Sequence, residues 1–238
     1  SRIEERTKVL VAKNQELEGF TYSVSHDMRS PLRAMVSNAA IVVEEEGERL
    51  SAEGRAKLSR LSDAATKMAQ LVDDLLQFAR VGVREMRKSP TDIPELARTV
   101  AGQIDPAHGT IDLKITVPQG TSADVDARLV GMALYNLFDN AAKYRAGTEP
   151  AKVELGWENR FGERVFFVRD QGIGFDMKYV HKLFIPFERL HRDAEYRGTG
   201  IGLANVKRAV ERHGGLLWAE SEGPGKGATF YFTLGQAP

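Results

Sequence analysis

Four short stretches of this chain bring together residue types that could do chemistry. The first is His26-Asp27, with Ser30 and Pro31 close behind, in SHDMRSPLRAM. An imidazole with an ordinary pKa near ~6.5 is partly neutral at cellular pH and can act as a nucleophile. The second, in YNLFDNAAKYR, sets Asn136, Asn140 and Lys143 or Tyr144 on one helical side at spacings of three and four. An amide oxygen can ligate Mg²⁺ and an ammonium can meet phosphate, which is the hard-oxygen chemistry that nucleotides demand. In the third, DQGIGF, Asp170 could accept a hydrogen bond from an exocyclic amine, while Gly172 and Gly174 let a flat ring approach the backbone. The fourth, RGTGIGL, places Gly198, Gly200 and Gly202 at a helix start, where backbone amides form an anion cradle. Its spacing superficially matches a dinucleotide fingerprint, but no parallel strand leads in and the acid expected further on is absent, so a Rossmann site is rejected. Between the two glycine motifs, LFIPFERLHRDAEY has basic residues and no clean period, and is expected to be a mobile loop over the phosphates.

The elements that must position these groups fall into two halves. Ile3, Thr7, Leu10, Asn14, Leu17, Thr21 and Val24 alternate spacings of four and three, which is a coiled-coil seam with a register-fixing polar residue at Asn14. From Met28 the series runs Leu32, Met35, Ala39 and Val42, and the extra spacing of four beside Pro31 is a stutter. In this frame His26 lies at the outward edge, with Ser30 one turn later on its face. Pro31 has no N–H, so the carbonyl of Asp27 loses its helical partner and a weak point forms beside the imidazole. After a connector at about 47–54, a second seam runs Leu58, Leu61, Ala65, Met68, Val72 and Leu75, ending near Gly82. Two such helices make a hairpin that leaves an apolar stripe open, which predicts a dimeric four-helix bundle. Ser89-Pro90 and TDIP read as a boundary. Beyond it, strand patterns at 111–117, 152–157, 165–169, 216–221 and 229–234 alternate with helical patterns at 93–104, 128–146 and 201–213, and SEGPGKG is a hairpin turn by composition. This predicts an α+β unit with a mostly antiparallel sheet.

Bulk properties narrow the classes. Across 238 residues, 33 basic side chains balance 33 acidic ones, so nothing global points to nucleic acid or an anionic membrane. There is no cysteine, which removes disulfides, thiolate metal sites and cysteine nucleophiles. No run approaches the ~20 apolar residues of a spanning helix and no signal-peptide pattern is present, so a cytoplasmic location without direct membrane insertion is expected. The heptads begin without a cap, which suggests a piece of a longer protein.

Taken together, the motifs resemble the sensor histidine kinase family over essentially the whole chain. SHDMRSPLRAM is similar to that family's phosphoacceptor box, while NLFDNAAKY, DQGIGF, the Phe184/Phe187 segment and GTGIGL are similar to its ATP-site boxes, in the family's order. The GTGIGLANVKRAVERHGG stretch looks most similar to kinases of phytochrome-type and other soluble sensors. The resemblance implies a coiled-coil signalling linker at 1–20, a dimerisation and phosphotransfer domain at 21–88, and an ATP-binding α+β sandwich of the Bergerat (GHKL) type at 89–238. It implies that His26 takes the γ-phosphoryl group of ATP, with Asp27 as base and Ser30 beside them. Asn140 would hold Mg²⁺, Asn136 and Lys143 would lie near phosphate, and Tyr144 would pack on adenine. Asp170 would read the adenine amine, helped through water by Thr229, with Gly172 and Gly174 making room. Arg189 matches the basic residue of the Phe box, and Arg192 or Arg197 would add phosphate contacts. Gly198, Thr199, Gly200 and Gly202 would form the lid hinge and cradle. Implied partners are a second copy of the chain, a response-regulator receiver domain and an upstream sensor module. Two departures stand out: Ser30 sits where phosphatase-competent members commonly have Thr or Asn, and Gln171 where Asn is usual. Two other classes remain open on sequence alone, an ATP-binding switch of the same superfamily without phospho-histidine and a silent scaffold for a receiver domain.

Overall fold

The computed structural model describes residues 2–83, 85–147, 149–160, 162–190 and 198–235, with the side chains of 2–18, 20–22, 25, 26 and 83 outside that description. The chain divides into two compact units, Ser1–Arg84 and Glu85–Pro238.

The first unit is a helical hairpin of α1 (Arg2–Glu46) and α2 (Ala52–Val83). Helix α1 runs on through Pro31 without a break. The turn is closed by Ser51, whose Oγ accepts the Gly54 N–H at 3.0 Å as a helix N-cap, and by Arg55, whose guanidinium donates to the carbonyls of Gly47 (2.6 Å) and Leu50 (2.8 Å). Arg29 of α1 meets Asp73 of α2 at 2.6 Å (Nε to Oδ1). The seam side chains expected at Ile3, Thr7, Leu10, Asn14, Leu17 and Thr21 lie outside the described residues. Further along, the single expected seam is in fact two. Leu32 and Ala39 on α1 are buried, as are Ala65, Val72 and Leu76 on α2, whereas Met28, Met35, Val42, Leu61, Met68 and Leu75 stand 38–49% exposed. Spacing of three and four marks which residues share a stripe; it does not say which neighbour each stripe meets.

The second unit is a three-helix layer on a mixed sheet. Its elements are β1 (Ser89–Asp92), α2's successor α3 (Ile93–Ala101), β2 (Ile111–Ile115), β3 (Ser122–Val125), α4 (Ala127–Lys143), β4 (Ala151–Arg160), β5 (Glu163–Asp170), α5 (Gly202–Arg212), β6 (Leu217–Glu220) and β7 (Thr229–Thr233). Short 3₁₀ helices sit at Pro106–His108 and Met177–Lys182. The main sheet has the order β2-β4-β5-β7-β6, parallel only at β2–β4, so the mostly antiparallel expectation holds. Residues 89–92, read from sequence as a boundary, instead form a two-stranded ribbon with β3, where Pro90 is tolerated because the strand has a free edge. Asp92 then caps α3 by accepting the Glu95 N–H at 2.8 Å.

Alternation along the strands sorts side chains to the two sheet faces. Phe166 and Val168 of β5 and Phe230 and Phe232 of β7 join Leu134, Leu137, Phe138, Val206 and Val210 of α4 and α5 in the main core. Val165, Phe167 and Tyr231 form a second cluster with Trp218. Over it lie Arg160, 4.3 Å from the Tyr231 ring centroid, and Arg169, 5.0 Å from that of Phe167. Among the described residues, no helix is long and apolar enough to cross a membrane.

Candidate functional site

Asp170 closes β5, and its Oδ1 accepts the N–H groups of Gly172 at 2.8 Å and Ala228 at 3.3 Å. Burial pushes its carboxyl pKa up, and the two N–H donors pull partly against that shift. The SEGPGKG turn does more than reverse the chain. Gly227 N donates to Gly172 O at 3.0 Å and Gly225 N to Ile173 O at 2.6 Å, so the turn clasps the DQGIGF stretch. Ser221 braces the clasp, its hydroxyl donating to Gly227 O at 2.7 Å and accepting the Phe175 N–H at 3.2 Å. Gly174 has φ +59°, and a Cβ there would come within 2.8 Å of Gly227 O and 2.9 Å of Ser221 Oγ. Only glycine fits both demands.

Helix α4 carries the asparagine motif, and both its ends are anchored. At its start, Asp126 is the N-cap, accepting the N–H of Arg128 at 3.1 Å and of Arg87 at 3.0 Å. The Arg128 guanidinium, 2.8 Å away, holds the Asp126 carboxyl well below the usual carboxylate range, against the effect of burial. His213, just past α5, accepts the Asp126 N–H on Nε2 at 3.0 Å and donates from Nδ1 to Ala209 O at 2.7 Å. One acceptor and one donor fit a neutral imidazole, and burial pushes the pKa of His213 down. At the far end, Tyr144 caps α4, and its carbonyl accepts the Ile173 N–H at 2.9 Å. The asparagine and DQGIGF motifs are thereby joined.

Asn136 donates from its amide to Met132 O at 2.8 Å, and a Cβ placed on Gly202 would fall 2.7 Å from Asn136 Oδ1. The first residue of α5 therefore sits against the asparagine face. Asn140 is half-buried on α4, and Lys143 Nζ lies 2.6 Å from Asp139 Oδ2. Gly198, Thr199 and Gly200 are half-buried ahead of α5; Gly200 has φ +82° and its carbonyl accepts the Phe187 N–H at 3.1 Å. Phe184 packs on the core, Phe187 is exposed at φ +68°, and Arg189 is half-buried nearby. Arg192 and Arg197 lie outside the described residues, as does the 191–197 part of the expected loop.

Thr229, expected to act through water, pairs with Arg169 across the strands and its hydroxyl accepts from Arg169 Nε at 3.3 Å, while the neighbouring Ala228 is buried and supplies a direct N–H to Asp170. Sequence reasoning also passed over Asp139, Asp126, His108, His213 and Ser221. Asp139 and Lys143 were legible as an acid–base pair one helical turn apart, and Asp126 as an N-cap at the start of α4; the contacts of His108 with Asp139, His213 with Asp126 and Ser221 with Phe175 join residues too distant in sequence to leave a local signal.

In the first unit, His26 lies within α1 with its side chain outside the described residues, and Asp27 and Ser30 are exposed on the same helix. The second unit offers a half-buried carboxylate at Asp170, clasped by glycine-rich backbone, and an amide at Asn136 set against the first residue of α5. That set fits a purine base carrying an anionic chain. Among the described residues, no three His, Cys, Asp or Glu side chains gather as a metal cage. The Asn140 amide fits a hard cation whose remaining ligands come from phosphates and water.

Residues 125–238 match the family model of the histidine kinase-, DNA gyrase B-, and HSP90-like ATPases, and residues 16–83 match that of the His Kinase A (phospho-acceptor) domain. Cyanobacterial phytochrome B of Nostoc sp. is 36% identical over 228 residues, covering 94% of this chain and 30% of that protein. The methanogenesis regulatory histidine kinase FilI of Methanothrix harundinacea is 35% identical over 237 residues, covering 98% of this chain and 26% of that protein. The chain thus spans less than a third of the length of these relatives. Among solved structures, full-length ShkA in complex with AMPPNP aligns with a TM-score of 0.64 at 28% identity, over 92% of this chain and 47% of that one.

Proposed function

The chain belongs to the sensor histidine kinases, as a catalytic core with a phosphoacceptor-type helical unit ahead of an ATPase-type unit, and from that premise we propose that it transfers the γ-phosphoryl group of ATP to His26. The observation that carries this reading is the clasp at Asp170, whose half-buried carboxylate accepts two backbone N–H groups and opens the DQGIGF stretch tied to the α4 motif through Tyr144. A carboxylate acceptor fixed at the end of a strand suits the exocyclic amine of adenine. Asn136 and Lys143 face the phosphates, Gly198, Thr199, Gly200 and Gly202 supply the backbone cradle at the start of α5, and Arg189 adds positive charge. Asn140 would hold Mg²⁺, which would offset phosphate charge during transfer.

In the transfer, an imidazole nitrogen of His26 attacks the γ-phosphorus. An N–P bond forms as the bond from phosphorus to the β,γ-bridging oxygen breaks, ADP leaves, and the imidazole N–H proton passes to Asp27. A carboxylate oxygen of an aspartate on a receiver domain then takes the phosphoryl group as the N–P bond breaks. The exposed stripes on both hairpin helices support a second copy of the chain as partner, closing a four-helix bundle. A signal input ahead of residue 1 fits the long α1 that would carry it.

Nucleotide recognition is tested by thermal melting with and without Mg-ATP. Ligand at a hundred times its Kd stabilises the folded state by about 2.7 kcal/mol, so a clear rise in Tm is expected, lost in Asp170→Asn. An equal rise in both proteins would remove Asp170 from the site.

A further inference from the structure

One buried cluster on α4 holds Lys143 through two residues, Asp139 and His108, that take no part in the reading above. Asp139 is 7% exposed, with Oδ2 2.6 Å from Lys143 Nζ and Oδ1 2.7 Å from His108 Nδ1. A carboxylate only accepts, so Nδ1 carries the proton. The turn that presents His108 is itself fixed. Its carbonyl accepts from the Arg145 guanidinium at 3.0 Å, the same group donates to Ala142 O at 2.8 Å, and the His108 N–H donates to Asp105 O at 2.9 Å. The imidazole is therefore held against Asp139 by backbone contacts independent of Lys143.

This arrangement solves an energetic problem. A buried carboxylate stripped of its one charged partner is strongly disfavoured, so a lysine paired with it alone could not leave for a phosphate. Here the second oxygen is already bonded, and the lysine can move without leaving the carboxylate bare. We propose that the Asp139–His108 pair is a holding site for the Lys143 ammonium, which carries the lysine until a nucleotide phosphate takes it, His108 then remaining as the carboxylate's partner. The proposal rests on the reading of Lys143 as a phosphate contact. Asp139 and His108 touch no substrate; they are positioning residues that set how readily the lysine transfers.

The two positions are expected to act with opposite signs. Asp139→Asn removes the competitor for the ammonium and raises phosphate-dependent affinity. His108→Ala removes the standby partner, tightens the hold of Asp139 on Lys143 and lowers it. In the double variant the histidine has no carboxylate to serve, so it behaves as Asp139→Asn alone. The readout is the ratio of adenosine Kd to ADP Kd, measured by calorimetry in MgCl₂ on the full chain. A ratio within one variant cancels any loss of folded protein. Each single change is expected on the order of tenfold, the worth of one charge-assisted hydrogen bond. Shifts of the same sign, or a double variant equal to the sum of the singles, would mean the pair is merely structural and overturn the proposal. Lys143→Met separates the two layers. If it leaves the ratio at the parent value, the phosphate role of Lys143 is wrong and the holding site falls with it. If it lowers the ratio while the other variants fail the sign test, only the holding site is lost.

Discussion

The two units solve the same problem of burying apolar surface in different ways. The sheet unit closes its own core: Ile93, Leu134 and Phe138 have no exposed surface and lie between three helices and a five-stranded sheet. The hairpin buries one stripe between its helices and leaves the other open, with Met28, Met35, Val42, Leu61, Met68 and Leu75 all exposed at heptad spacing. Patches of that kind mark an interaction surface. The sheet unit closes its own core, whereas the described part of the hairpin keeps an apolar stripe open, which is where a second copy would pack in the proposed dimer.

Changes that sharpen this contrast are ranked by expected size. Charging the open stripe with Leu61→Glu and Met68→Glu should convert a dimer to a monomer in sedimentation and unfold the hairpin, while the Mg-ATP-dependent rise in melting temperature of the sheet unit survives. A variant that still sediments as a dimer would show that the stripe meets nothing. Leu134→Ala should act in the opposite place. It empties part of a closed core, and denaturant unfolding of the sheet unit is expected to lose about 2–5 kcal/mol with the oligomeric state unchanged.

Acid should strain the sheet unit next. Burial holds the His213 pKa below its ordinary 6.5, so the unfolded chain binds a proton that the folded chain refuses. Stability is then intact above 6.5 and falls as pH drops through that value toward the lower folded pKa. His213→Gln should flatten the fall between those limits; an unaltered slope would assign it to other groups. Asp126 works in the same direction further down, its stabilisation being present above 3.8 and lost progressively below it. The smallest effect belongs to the hairpin. Arg29 and Asp73 are 32% and 48% exposed, so Arg29→Ala should cost less than about 1 kcal/mol in thermal unfolding.

Much of this was legible in the sequence because it is written in local spacing. The β-rich runs and amphipathic stretches fell where strands and helices form. What stayed hidden depends on pairing across the chain. The Ala228 N–H reaches Asp170 from 58 residues away, a contact that only the pairing of the segments before β7 and after β5 brings about. The edge strand at 89–92 looked like a linker because its proline weakens every strand signal, yet an edge tolerates it. His108 reaches Asp139 from a turn between α3 and β2, a contact with no periodicity to announce it. In the hairpin, Leu32 and Met35 read alike, and packing alone separates the buried stripe from the open one.

In the proposed function His26 receives the γ-phosphoryl group of ATP. The direct measurement is transfer of label from γ-labelled ATP with Mg²⁺ to the purified chain and to His26→Ala, followed by acid and alkali treatment. Label is expected on the parent alone, lost in acid and stable in alkali, as an N–P bond requires. Equal label on both proteins, or label that survives acid, would contradict it.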